Sequence, residues 1–204
     1  MFNETAGPAT MDDLLGKKVA EATIMESKLF PKGDYVLELV GVNQESYEIK
    51  NEGHPFEGEE AARLEFNYII KGVDDKGKYF DVKDKRVSAD KMAEFVDQEY
   101  TESVLFGNDG LVVEGSGENR VLRLPENDED KAKAKNTGFD KAVTLMQRHL
   151  GEQAWEENDC DNKSLSELIE LATGKLTITP IGHNKWGDRV NVQINIMDEF
   201  QPVG

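Results

Sequence analysis

The sequence predicts a mainly β protein with inserted helices, an α+β fold in which strands from the two ends of one domain enclose a helical, acidic middle. Three observations carry this. In Ala61–Gly72 (A-A-R-L-E-F-N-Y-I-I-K-G), Leu64, Phe66, Tyr68 and Ile70 alternate with Arg63, Glu65, Asn67, Ile69 and Lys71. Arg189–Ile196 alternates as strictly, with Val190, Val192, Ile194 and Ile196 set against Arg189, Asn191, Gln193 and Asn195. Between them, from Ser88 onward, the apolar period becomes helical.

Residues 1–30 read as a flexible leader. Its short amphipathic stretch, Met11 to about Ala22, is an element that a neighbouring subunit of a homo-oligomer would receive. Pro31-Lys32-Gly33-Asp34 is turn chemistry opening a first strand, Tyr35–Val42, whose alternation slips at Gly41, the mark of a bulge. Residues 43–60 read as a long acidic loop with Tyr47 and Phe56 as its aromatics. After Ala61–Gly72, Val73–Gly77 is a hairpin turn, and Lys78–Val82 returns with Phe80 and Val82 inward and Tyr79 outward.

Ser88-Ala89-Asp90 caps a helix carrying Met92, Phe95 and Val96 at helical spacing. Short strands or loops follow at 104–106, 111–113 and 120–124, and Pro125–Asn136 reads as a charge-rich mobile loop. Phe139–Leu150 is a helix that buries Ala142, Val143, Leu145, Met146 and Leu150. Ser164–Ala172 is another, opened by a Ser164/Glu167 capping box and ended at Thr173-Gly174. Lys175–Ile181 and Arg189–Ile196 form the closing hairpin around Gly182–Asp188. The domain is 31–200, with strands mainly in 31–86 and 174–197 and the acidic helical insertion over about 88–173. Residues 198–204 are a short acidic tail.

At 204 residues, 38% hydrophobic and 32% charged, the chain has the composition of a soluble globular protein. No run approaches the roughly 18 apolar residues of a membrane span, and the N-terminus has neither a basic start nor an apolar core. A cytoplasmic protein is expected, in the host cytoplasm if it is viral. The single cysteine, Cys160, agrees, since it has no partner in the chain for a disulfide. The net charge of -17 argues at first against a nucleic-acid partner. Its distribution weakens that objection. Residues 90–172 carry 9 basic and 20 acidic side chains, whereas residues 173–204 carry 3 of each.

Signals of catalysis are weak, and no enzyme is expected. His54, His149 and His183 have no H-x-x-x-H spacing, there is no G-x-S-x-G elbow or P-loop lysine, and Gly115-Ser116-Gly117 falls short of a dinucleotide fingerprint. Cys160 lies between Asp159 and Asp161, which disfavour a thiolate. Glu126, Asp128, Glu129 and Asp130 lack the spacing and glycine of a calcium loop. No metal or cofactor is expected.

A binding role fits better. Single strands are held by cations facing phosphates and aromatic rings facing bases. The first hairpin offers Arg63, Asn67, Lys71, Lys78 and Tyr79, followed by Lys85 and Arg86; the second offers Lys185, Trp186, Arg189, Asn191 and Gln193; Tyr47 and Phe56 add rings. These are the candidate nucleic-acid-binding residues. Each polar strand face also fits plain solvation, and each ring fits packing.

Pro31-Lys32-Gly33-Asp34-Tyr35 before a strand, A-A-R-L-E-F-N-Y-I-I-K-G with its glycine turn, and Thr173-Gly174-Lys175 before a closing hairpin resemble small phage-encoded single-stranded DNA-binding proteins and related phage replication accessory proteins. The resemblance covers about residues 31–86 and 174–200. It implies an OB-like five-stranded barrel and single-stranded DNA binding without strong sequence preference, during replication or recombination. Asp198-Glu199-Phe200-Gln201-Pro202 is similar to acidic aromatic tails that recruit replication or recombination proteins, though only two acids are present and Val203-Gly204 follows. The alternatives are a phage structural or assembly protein whose strand faces pack on other subunits, and an acidic DNA mimic that binds another protein.

Overall fold

The computed structural model describes residues 29–74, 77–115, 120–186, 189–198 and 200–203, without the side chains of Ala89, Trp186 and Arg189. The leader's amphipathic stretch, Gly117, Gly187 and the stacking role of Trp186 lie outside what is described.

The frame is one long hairpin, β1 (Gly33–Glu48) against β2 (Glu60–Val73), antiparallel from Tyr35↔Val73 to Glu48↔Glu60. The ladder slips between Leu39 and Gly41, where the sequence alternation slips too. Residues 43–48, expected in a loop, are strand. Asn43, Gln44, Glu45, Ser46 and Glu48 are all exposed and polar, so no apolar period marks them, yet β2 supplies partners from Glu65 to Glu60.

The outer edge of β2 pairs with β5 (Glu99–Leu105), and the start of β1 pairs with β8 (Leu176–Trp186), Gly33 opposite Ile181. On the far edge of β8 lie β9 (Arg189–Ile194) and then β10 (Gln201–Pro202). The resulting antiparallel sheet, in the order β9/β10, β8, β1, β2, β5, curls into a half-barrel. Its two ends meet through one side chain. Glu102 of β5, 3% exposed, accepts the backbone N–H of Ile194 of β9 at 2.9 Å, the Tyr100 hydroxyl at 2.6 Å and Lys141 Nζ at 2.6 Å.

The concave face holds Tyr35, Leu37, Leu39, Phe66, Tyr68 and Ile70, all fully buried. Helix α3 (Thr137–Glu157) covers it with Ala142, Leu145, Met146 and Leu150. The helix runs past Leu150 because a break at Gly151 (φ 75°) lets a second segment continue and bury Trp155. Around this core lie β3 (Tyr79–Phe80), β4 (Arg86–Val87), α1 (Ala89–Met92) with a 3₁₀ turn Ala93–Phe95, and the small hairpin β6 (Val112–Glu114) and β7 (Val121–Arg123). Helix α4 (Leu165–Ala172) has the expected capping box.

Two further expectations are corrected. Part of Pro125–Asn136 is helix α2 (Asp128–Lys133), capped by the Asn127 side chain, with Asp130 gripped by Arg123 at 2.6 and 3.0 Å. Tyr79 points inward: it is 4% exposed, edge-on to Tyr35, and its hydroxyl donates to the Asp34 carbonyl. A two-residue strand crossing the barrel end does not follow the alternation of the long hairpin. In the acidic tail, Phe200 is 7% exposed and edge-on to His149 at 5.2 Å.

Candidate nucleic-acid interface

The convex face of β2 carries Arg63, Asn67 and Lys71, as its alternation requires, but the structure neutralises this wall. Cross-strand neighbours on a sheet face lie close enough for opposite charges to pair. Arg63 therefore bonds Glu45 of β1 and lies 3.1 Å from Glu65, while Lys71 lies 3.0 Å from Glu38. The hydrogen bond from Arg63 to Glu45 raises the guanidinium pKa further. Asn67 accepts from Thr101 at 2.9 Å.

At the end of the sheet where β1 begins, Lys32 and Lys185 share one carboxylate, and other cations have no ion-pair partner among the described residues. The turn between β3 and β4 is built on Asp81, whose Oδ1 accepts the N–H groups of Lys85 and Lys83 at 2.9 and 2.8 Å; those bonds hold its pKa down. Asp84 takes the left-handed region at φ 59°, and its carboxylate meets Lys32 Nζ at 2.5 Å and Lys185 Nζ at 4.0 Å. This carboxylate ties the turn to the β8–β9 hairpin, and the Lys32 bond lowers its pKa. Lys78, Lys83, Lys85 and Arg86 are exposed, and none has an ion-pair partner among the described residues. The Lys32 ammonium lies 5.5 Å from the centre of the half-buried Phe80 ring.

A hollow of about 300 Å³ between β3 and β8 is lined by Lys32, Lys78, Phe80 and Asn195 together with the carboxylates of Asp34 and Asp198. Gly182 pairs with Gln193, and Asn184 with Asn191, so these two exposed amides of β9 continue the same end of the sheet. The backbones of Trp186 and Arg189 pair at its tip.

The structure thus brings Lys78, Lys85, Arg86, Lys185, Asn191 and Gln193 to one end, with Trp186 and Arg189 by strand position. Arg63 and Asn67 lie further along the sheet, in a wall of paired charges. Tyr47 and Phe56 belong to the other end of β1: the Tyr47 hydroxyl accepts the Gly107 N–H at 3.2 Å, and Phe56 lies beside His54 with ring centres 6.0 Å apart. Tyr79 is withdrawn into the core. Lys32 and Phe80 were missed. Lys32 lies in a turn whose sequence signals backbone geometry alone, and strand alternation points Phe80 inward.

Among the described residues no group of three or more His, Cys, Asp or Glu is placed to hold a metal ion, and no helix is long and apolar enough to cross a membrane. Searches of family models, curated proteins and solved structures return no match to this chain.

Proposed function

We propose that this chain binds single-stranded DNA without strong sequence preference, at the end of the sheet formed by the β3–β4 turn and the β8–β9 hairpin, on an OB-like barrel. Four exposed cations with no ion-pair partner among the described residues, Lys78, Lys83, Lys85 and Arg86, carry the reading. They share a rim with Phe80, Asn191 and Gln193, the combination of charge and polar or aromatic surface that a flexible strand needs. A three-stranded meander, a helix and a hairpin returning to the first strand, in a sheet curled into a half-barrel, support the reading as such a barrel. Acidic surface elsewhere confines phosphates to this rim.

Titration of labelled oligo-dT at several salt concentrations tests it. Four phosphate contacts predict a log–log salt slope near about −3 for a single strand. Changing Lys83, Lys85 and Arg86 together to Glu should weaken binding at least about tenfold and flatten the slope by roughly 2. Absence of binding at low salt, or an affinity that ignores the triple change, overturns the reading.

A further inference from the structure

The end of β1 opposite this rim carries a strand edge that is unpaired among the described residues. Leu39 exchanges bonds with Lys175 and Gly174 at 3.3 and 2.7 Å, the last backbone contacts on that side of β1 among the described residues. At the far end Ile49 bonds Glu59 and Gly58 on the β2 side. Alternation from Ile49 therefore turns the backbone N–H and C=O groups of Tyr47, Glu45 and Asn43 toward β2, and those of Ser46, Gln44 and Val42 away from it. Long edges of this kind are normally blunted by lysine or proline. Val42–Glu48, V-N-Q-E-S-Y-E, has neither.

Beside this edge runs a groove of about 550 Å³ whose apolar lining is Val42, Ala62, Leu64, Phe106, Leu165 and Ile169. An edge offering main-chain bonds beside pockets for side chains is the arrangement by which extended peptides add to a sheet. The charge at its far end selects the occupant. Glu48 stands directly opposite Glu60, with Glu59 adjacent, a like-charge pairing that is unfavourable across a ladder. The cation in ion-pair reach among the described residues is Lys50, 3.5 Å from Glu48. A second copy would bring a further -17 to this surface, whereas a basic segment relieves it.

We infer that the Val42–Glu48 edge is a docking site for an extended segment of another protein, apolar at alternate positions and basic at its end, which adds as a strand to β1. This goes beyond DNA binding and uses different residues.

The probe is the labelled peptide Lys-Lys-Val-Thr-Val-Thr-Val-Lys-Lys, measured by anisotropy against the full chain, with a counterpart whose lysines are replaced by glutamates. Saturable binding at least tenfold tighter for the lysine form is expected. Gln44→Pro removes an outward N–H that β2 does not use, and proline is tolerated on such edges; it should weaken binding tenfold or more with the melting temperature unchanged. If it alters the melt, Leu165→Lys on the groove wall gives the same readout. Reversing Glu48 and Glu60 to Lys should abolish the preference for the lysine form. Lack of saturable binding, or binding indifferent to both groove variants, overturns the inference. So does sedimentation as a dimer that Gln44→Pro dissociates, which would assign the edge to a second copy.

Discussion

His149 sits 1% exposed on α3, between the Tyr68 hydroxyl at 3.1 Å and the Thr177 hydroxyl at 2.9 Å, stacked on the Tyr68 ring. Among the described residues no carboxylate bonds it, and burial pushes its pKa from 6.5 down to about 4. The unfolded chain takes up a proton near pH 6.5, and the folded chain does so only near pH 4. Stability from this group is therefore full above pH 6.5 and is lost as the pH falls through that window. The loss is about 1.4 kcal/mol per unit, or about 2 kcal/mol by pH 5. Urea unfolding at pH 7 and pH 5 should show that fall, and His149→Gln should shrink it while lowering stability at pH 7. The sequence displays His149 among three unassigned histidines. Its partners lie 81 and 28 positions away, so only the tertiary fold reveals a packed polar junction.

At the level of elements, periodicity made β2, β9 and α4 legible, because each buries one face and its apolar residues repeat at the matching interval. The distal half of β1 was not legible, since its exposed residues carry no such period, and α2 was hidden in a charge run whose order depends on Arg123 gripping Asp130. Nor does the sequence show how the sheet closes. Glu102 does this with a side chain instead of a ladder, accepting from Ile194, Tyr100 and Lys141. Glu102→Ala leaves Lys141 and the Ile194 N–H without that partner and should cost about 3–5 kcal/mol in denaturant unfolding. Glu102→Gln, which keeps an acceptor, should cost less. In both variants the Ile194 amide should exchange hydrogen faster relative to the amides of β2; equal protection would show that β5 and β9 are held together by packing alone.

Across the whole molecule, the charge has two opposed consequences. Residues 90–172 hold 20 acidic against 9 basic side chains, so the folded state repels itself, while the cations of the β3–β4 turn, unpaired among the described residues, are what the proposed site offers to phosphate. The sequence already showed that separation along the chain. It did not show that Arg63 and Lys71 are neutralised by glutamates across the ladder, which is what moves the proposed site to the end of the sheet. Salt screens both effects, with a Debye length near about 10 Å at 0.1 M. Added sodium chloride should therefore raise the melting temperature of the free chain by a few degrees. The extra stabilisation given by oligo-dT should shrink over the same range, because counterion release weakens as salt rises. Melting curves with and without oligo-dT across a salt series separate the two. A free-chain melting temperature that falls with salt would mean that self-repulsion does not limit stability. A DNA-induced rise that ignores salt would mean that the contact is not made through phosphates.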